Sequence, residues 1–238
     1  MAADQALATC LSPGEGVLRL YRWSSPTVSF GRNEPAEGLY DLDAARRAGI
    51  DFVRRPTGGR AVLHDRELTY AVVIPITAGM SVRALYRLVN QGLVSAMASL
   101  GVPASMAPGG SPALSLDAGP CFQHPSEGEV TVSGRKLVGS AQARLGSAIL
   151  QHGSLLIGPG QERLADLCGD ADEGTAPICL EEILDVVPSW DVLVEAVVVG
   201  LSGVLGGEWH RSGPSEAERA ESRVLDTHYA SDSWIWRR

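Results

Sequence analysis

Three short segments carry side chains whose types and spacing could do chemistry. The first is Arg54-Arg55-Pro56-Thr57-Gly58-Gly59-Arg60-Ala61-Val62-Leu63-His64-Asp65. Adjacent glycines let a backbone approach a ligand closely, with N–H groups free to point at an anion or a carbonyl. Arg54, Arg55, Arg60 and Arg66 gather positive charge suited to a phosphate or an acidic partner surface. The same spacing also describes an ordinary turn with solvated arginines. The second segment is Ser133-Gly134-Arg135-Lys136-Leu137-Val138-Gly139-Ser140-Ala141-Gln142-Ala143-Arg144. Strict strand alternation places Lys136, Val138 and Ser140 on one face and Leu137, Gly139 and Ala141 on the other. A lysine leading such a strand could aim its ammonium across a cleft at a carbonyl, or simply sit at the surface after a hairpin turn. In the third, Gln151-His152-Gly153-Ser154, His152 could serve a site or be a satisfied core histidine.

A fourth candidate is Cys121, in Gly119-Pro120-Cys121-Phe122. The thiolate is the reactive form, and a free cysteine is mostly protonated at neutral pH, so a nearby cation would have to help. Cys10, Cys168 and Cys179 have no such setting and read as packing thiols. The cysteines show neither Cys-x-x-Cys nor zinc spacing, which argues against a metal site and a disulfide framework and fits a reducing cytoplasm.

The elements that must position these residues follow from periodicity. Residues 2–11 read as a helix, Val17 to Trp23 and Thr27 to Phe30 as strands, Leu39 to Ala48 as a helix, and Ile50 to Val53 as a strand. Glu67 to Ile74 alternates, with Leu68, Tyr70, Val72 and Ile74 on one face. Ser81 to Leu100 carries the best helical stripe, capped by Ser81 and ended by Gly101. Residues 103–120 read as a long exposed loop. Glu129 to Ile157 predicts an antiparallel meander turning at Ser133-Gly134 and Leu145-Gly146. Residues 158–188 predict a loop with one short helix, Trp190 to Leu205 an apolar helix, and 210–223 an exposed helix or linker. Helices mixed with a largely antiparallel sheet make an α+β domain.

The chain has 238 residues, 45% hydrophobic and 20% charged, enough to bury a sizeable core. Its formal net charge of −8 makes it a poor candidate for general binding to nucleic acid or an anionic membrane, so an anionic partner must meet a local basic patch. The best apolar stretch, Val192 to Leu205, holds Glu195 and is shorter than the roughly 20 residues that span a bilayer. The N-terminus lacks the pattern of a secretory signal.

Taken together, these segments resemble the lipoate-protein ligase and octanoyltransferase family, which shares its catalytic domain with biotin-protein ligases. The resemblance runs through Met1-Ala2-Ala3-Asp4-Gln5-Ala6-Leu7, Val28-Ser29-Phe30-Gly31-Arg32-Asn33, the Arg-Arg motif, Gly134-Arg135-Lys136-x-x-Gly139-Ser140-Ala141, His152-Gly153-Ser154-Leu155 and Tyr229-Ala230-Ser231-Asp232-x-Trp234. Relatives usually place a strand before the first helix and a lysine where His228 stands. The resemblance implies a mixed, mostly antiparallel sheet flanked by helices. It implies one catalytic domain over residues 1–238, without the accessory domain of many ATP-using ligases. It also implies a cleft for an eight-carbon acyl chain, walled by the strand after the Gly-Gly turn and by the Lys136 strand.

Adenylating ligases usually have a third glycine where Arg60 stands. Gly-Gly-Arg, together with Cys121-Phe122 fifteen residues before Lys136, looks like the cysteine-dependent octanoyltransferase branch. That branch implies Cys121 as acyl-bearing nucleophile and Lys136 at the acyl carbonyl, stabilising the thiolate and receiving a proton from the attacking amine. Arg54, Arg55, Thr57, Gly58, Gly59, Arg60, His64, Gly139, Ser140, Ala141, His152 and Gly153 are the implied substrate-binding residues, with Arg54 and Arg60 meeting the carrier. The implied partners are octanoyl-acyl carrier protein and a lipoyl carrier domain, of the glycine cleavage H protein or a 2-oxoacid dehydrogenase E2 subunit, with no cofactor. The alternatives are an ATP- and magnesium-dependent lipoate ligase, an octanoyl amidotransferase between lipoyl domains, and an inactive acyl-carrier-binding module.

Overall fold

The structure, a computed structural model, describes residues 1–36, 38–77, 81–109, 121–123, 125–168 and 175–237, with the backbone alone for Gln123 and Cys168. Most of the long loop expected at 103–120 and the side chain of Cys168 therefore lie outside the described residues. The chain opens with α1 (Ala2–Thr9), β1 (Val17–Tyr21), β2 (Thr27–Phe30), α2 (Leu42–Arg47), β3 (Asp51–Arg54), β4 (Val62–His64) and β5 (Glu67–Pro75). It continues through α3 (Val82–Ser99), β6 (Ser105–Met106), β7 (Val130–Val132), β8 (Arg135–Leu145) and β9 (Ala148–Leu156). It ends with α4 (Glu162–Cys168), α5 (Leu180–Ile183), α6 (Trp190–Leu205), α7 (Glu216–Tyr229) and α8 (Asp232–Ile235).

The strands form a six-stranded sheet, ordered β1-β5-β9-β8-β7-β6, and a three-stranded sheet, ordered β3-β2-β4. Every neighbouring pair in the larger sheet is antiparallel, and β2–β3 is the parallel pair of the smaller one. This is the α+β, mostly antiparallel arrangement expected. The turn between β7 and β8 is Ser133-Gly134, both at positive φ (51° and 77°), the backbone that matches strand twist in a two-residue hairpin.

One face of the large sheet packs on α3 and α6. Leu85, Val89, Leu93 and Met97 of α3 meet Leu193, Val197 and Leu201 of α6 over Leu68, Tyr70, Val72, Val138, Ile149 and Leu155. The Ser81 hydroxyl caps α3 by accepting from Ala84 N (3.2 Å). The expected alternation of β5 is half of the picture, because Glu67 to Val73 is buried on both faces. Leu7 and Ala8 of α1 cover Ala71 and Val73 from the other side. On that second side the small sheet meets the large one through His64 with Glu67 and Ser154 and through Thr57 with His152. Smaller differences have local causes. Asp41 caps α2 by accepting from Ala44 N (2.8 Å), which shortens the helix expected from Leu39. The 158–188 segment holds two short helices, and of the 210–223 stretch residues 216–223 open α7, begun by a Ser215/Glu218 capping box. No helix among the described residues is long and apolar enough to cross a membrane.

Asn90 of α3 is wholly buried under the sheet and joins two strands and the turn before β7 through one amide. Its Nδ2 donates to Gly128 O (2.8 Å), and its Oδ1 accepts from Ser140 Oγ (3.1 Å) and Gln151 Nε2 (3.2 Å). Tyr70 closes the network at 2.6 Å from Ser140 Oγ, and burial raises its phenol to about 12. Truncating the amide leaves buried polar groups without partners. Asn90→Leu is expected to lower stability by about 2–3 kcal/mol, measured by urea unfolding; an unchanged midpoint would show that the network contributes nothing net.

Candidate active site

Cys121 opens a short 3-10 turn, Cys121–Gln123, and its N–H donates to Ala61 O (3.0 Å). The next residue, Phe122, anchors the turn in a cluster with Val62, Leu156 and Cys179, leaving the Cys121 thiol half-buried. Lys136 enters from β8. Its Nζ lies 2.7 Å from Glu129 Oε1, 3.1 Å from Cys121 O and 3.5 Å from Cys121 Sγ. The phenyl ring of Phe122 is 5.0 Å away. Both charged groups are buried, Lys136 at 1% and Glu129 at 5% side-chain exposure. Burial opposes the ammonium, but Cys121 and Glu129 outweigh it and raise its pKa above the usual lysine value. The second Glu129 oxygen accepts from Ser126 N (2.7 Å), so the carboxylate is fixed at both ends.

The lysine reaches this position because the alternation expected for its strand is broken. Val130 pairs with Val138 and Thr131 with Lys136, so one step on β7 faces two on β8, a β-bulge. Leu137 and Val138 both turn into the α3 core, and Lys136 joins Gly139 instead of Val138 and Ser140. A Cβ on Gly139 would stand 3.2 Å from Lys136 Cε and 2.8 Å from Phe122 Cζ, so only glycine leaves room for both side chains. Ser140 faces Asn90 and Tyr70, away from the lysine. Gly153 also serves that side, since a Cβ there would come within 2.7 Å of Tyr70 Cε1. Neither belongs to a cleft shared with Lys136, contrary to expectation, whereas Ala141 lies opposite His152 in register.

The arginine motif is likewise inward. Arg54 is fully buried and donates to the carbonyls of Gly31, Glu34 (2.8 Å), Ile235 (2.9 Å) and Arg237 (3.2 Å), while Trp234 Nε1 donates back to Arg54 O (3.0 Å). Its guanidinium ties β3 to the C-terminal segment and is out of reach of a partner surface, which corrects the expectation that it meets a carrier. Arg55, 5% exposed, donates to the carbonyls of Ser29 (2.7 Å), Gly58 (2.9 Å) and Arg60 (2.7 Å) and so winds the Gly-Gly turn around itself. Arg60 is also buried. Gly31 and Gly59 pass so closely that a Cβ on Gly31 would fall 1.7 Å from Gly59 O. The result exposes Gly58 and Gly59, whose N–H groups have no hydrogen-bond acceptor among the described residues.

Both candidate histidines, His64 and His152, are satisfied within the fold. His152 Nε2 lies 2.6 Å from Thr57 Oγ1, and its Nδ1 faces Asp4 Oδ2 at 3.7 Å. Burial lowers its pKa against the pull of Asp4, so the ring is neutral at pH 7. Asp4 itself receives Arg19 Nη1 (2.6 Å) and Tyr21 OH (3.3 Å). His64 sits between Glu67 Oε1 (2.8 Å) and Ser29 Oγ (2.7 Å), stacked on Trp23 at 4.3 Å, and Ser154 Oγ donates to the same Glu67 oxygen. The other oxygen, Glu67 Oε2, is buried with no partner among the described residues. This bridge from β2 and β4 to β5 and β9 fixes the gap between the sheets. No group of three His, Cys, Asp or Glu among the described residues could hold a metal.

Sequence reasoning missed Glu129 and Asp4 as site groups. A carboxylate seven residues before a lysine, across a two-residue turn, was the available signal for Glu129.

A family model described as the lipoyl protein ligase A/B catalytic domain matches residues 1–187. The chain belongs to this family. Octanoyltransferase LipM of Kyrpidia tusciae is 38% identical over 257 residues, covering all of this chain and 94% of the relative. The Staphylococcus aureus LipM is 33% identical over 258 residues, with the same coverages of 100% and 94%. Among solved structures, a lipoate-protein ligase A bound with ATP superposes with a TM-score of 0.83 at 26% identity, covering 99% of this chain and 92% of the other. A bipartite lipoate protein ligase from Thermoplasma acidophilum, described with its E2 lipoyl domain, gives 0.80 at 26% identity, covering 99% and 89%. The chain is an acyltransferase.

The Asp4 carboxyl tests how the first helix is bound to this acyltransferase site. Burial would raise its pKa, but the neighbouring His152, the N-terminal ammonium and Arg19 outweigh it and hold the group well below the usual carboxylate range. A depressed folded pKa stabilises above the unfolded value, near about pH 4, and that contribution is lost as pH falls through the folded one. Asp4→Asn is expected to cost about 2–3 kcal/mol at pH 7, with the gap from the parent narrowing steadily below about pH 4. Chemical denaturation across pH checks this; a gap independent of pH would refute it.

Proposed function

We propose that the protein transfers an octanoyl group from octanoyl-acyl carrier protein, through a thioester on Cys121, to a lysine of a lipoyl carrier domain. The observation that carries this reading is the Lys136 ammonium, buried 3.5 Å from the Cys121 sulfur and fixed there by Glu129. The named octanoyltransferase relatives support the acyl group, and the ligase structure described with its E2 lipoyl domain supports the acceptor.

In the first step the Cys121 thiolate attacks the donor carbonyl carbon. A new C–S bond forms, the carrier's C–S bond breaks, and the carrier leaves as a thiol after taking a proton. Lys136 stabilises negative charge first on the sulfur and then on the carbonyl oxygen. The unpartnered N–H groups of Gly58 and Gly59 are candidates to share that oxygen. In the second step the acceptor amine attacks the Cys121 thioester, the C–S bond breaks and an amide forms. Lys136, 3.5 Å from the sulfur, is placed to move the proton: its ammonium gives a proton to the departing Cys121 sulfur and takes the one the amine releases. No external energy is needed, because exchange between thioesters is nearly balanced and amide formation from a thioester runs downhill.

Mixing the protein with octanoyl-acyl carrier protein in the absence of ATP is expected to add one octanoyl group, labile to hydroxylamine, seen by intact-protein mass. Cys121→Ser is expected to show no such adduct, and Lys136→Met to acylate about 100- to 1,000-fold more slowly. Absence of the adduct, with ATP-dependent attachment of free octanoate or lipoate to a lipoyl domain, would replace this reading with a ligase.

A further inference from the structure

Of the arginines expected to greet an anionic partner, Arg54, Arg55 and Arg60 are buried and Arg66 is paired with Glu181, and a different part of the surface has the unpaired charge. A hollow of about 550 Å³ lies between α1, the tip of the β8–β9 hairpin and α7, lined by Arg32, Arg144 and His228 with no carboxylate in its wall. Tyr229 and Trp234 form an aromatic side, with the His228 ring 4.4 Å from that of Trp234. In a chain of net charge −8 this is a local inversion.

The other exposed arginines mostly spend their charge on neighbours. Arg83 pairs with Glu127 (2.6 Å), Arg135 with Glu182 (2.9 Å), Arg163 with Asp65 (2.8 Å), Arg211 with Glu195 (3.0 Å), and Arg66 with Glu181. Arg32 and Arg144 have no carboxylate partner among the described residues, and the one side-chain hydrogen bond of Arg144 goes to Gly146 O (3.3 Å). Two unspent guanidiniums in one concavity suit a phosphodiester or a cluster of carboxylates.

The hollow also has a structural connection to the nucleophile. Pro56 forms part of its wall, and Arg32 N donates to Thr57 O (2.8 Å). Five residues beyond Pro56, on the other limb of the same Gly58-Gly59 turn, Ala61 O holds Cys121 N (3.0 Å). A body seated in the hollow therefore abuts the turn from one side while Cys121 lies against it from the other.

We propose that this hollow docks the anionic face of the acyl carrier that presents the thioester to Cys121. The proposal rests on the carrier-borne donor of the preceding section. The donor fits better than the acceptor, because the acceptor must bring a lysine ammonium to the sulfur and a basic surface opposes its approach. A carrier whose arm is attached through a phosphodiester brings anionic charge instead.

The test compares two octanoyl donors with wild type and the Arg32→Glu, Arg144→Glu and doubly substituted proteins. One donor is octanoyl-acyl carrier protein; the other is octanoyl-pantetheine, which has the thioester and no phosphate or protein. Both substituted side chains are exposed, so the fold is expected to tolerate them. With the carrier-borne donor, kcat/KM for Cys121 acylation is expected to fall about 10-fold or more in the double variant and to lose most of its salt dependence. With octanoyl-pantetheine all four proteins are expected to acylate at one rate. Equal rates with the carrier-borne donor would overturn the proposal. So would a loss confined to transfer onto the lipoyl domain, which would make the hollow an acceptor site. Failure of wild type to acylate from either donor would instead remove the transferase reading, and the docking proposal with it.

Discussion

The site depends on one buried ion pair. Lys136 and Glu129 lie 2.7 Å apart with almost no solvent contact. Taking two charges out of water costs several kcal/mol per ion, and only close geometry with further hydrogen bonds offsets it. Here Ser126 N satisfies the second carboxylate oxygen and Cys121 O a further ammonium proton. The pair is nearly neutral as a unit, so the ammonium can be kept charged inside the protein without a second fixed anion. What remains of its field is directed at the Cys121 sulfur. Much of the surrounding structure serves this geometry: the positive-φ turn at Ser133-Gly134 brings the two strands together, and the bulge turns the lysine across them. Phe122 holds the cysteine turn, and Asn90 holds Gly128 one residue before the carboxylate.

A second principle governs the cations of the Arg-Arg motif. A guanidinium has five donors in a rigid fork and no acceptor, so it can gather several carbonyls that have no strand or helix partner. Arg54 does this for the 31–34 loop and the C-terminal segment, Arg55 for the Gly58–Arg60 turn. Consecutive residues thus fix two irregular pieces of backbone on either side of β3. Their charge is neutralised locally by carbonyl dipoles and by Glu34, which accepts from Gly31 N and Ala61 N at 2.8 Å each. Burial lowers the pKa of both arginines and raises that of Glu34.

This explains what could be read from the residues alone. The helices with strong stripes and capping serines, α3 and α6, lie where periodicity put them, and so does the β7–β9 meander. In each case local chemistry and tertiary packing agree. Cys121 and Lys136 were legible as a pair through the resemblance to the cysteine-dependent branch, whereas their own residue patterns left both readings of the lysine open. Glu129 was not, since a carboxylate in a turn-flanking position ordinarily faces water. The face assignment of Lys136 failed because alternation assumes an unbroken ladder, and one extra residue at the bulge inverts it. Arg54 and Arg55 misled for a related reason: composition counts a charge without saying which way it points. The two halves of the six-residue Lys136–Ala141 motif serve opposite faces, lysine and Gly139 toward the cysteine, Ser140 toward the core.

The departures from ordinary folding rules are concentrated in one place. The buried ion pair, the bulge, the Gly31–Gly59 close approach and the unpartnered Glu67 oxygen all lie around the gap between the two sheets. Each is costly in isolation, and each is held by contacts from its neighbours, chiefly the long central strands and the helical layer behind them. That separation divides the chain by task. The face toward α3 and α6 supplies stability through continuous apolar packing and the Asn90 network. Around Cys121 the opposite face combines a small apolar cluster of Val62, Phe122, Leu156 and Cys179 with directional hydrogen bonds that fix donors and charges. An acyl-transfer site needs that kind of order, because an ammonium stabilises a developing charge only where it already points at it.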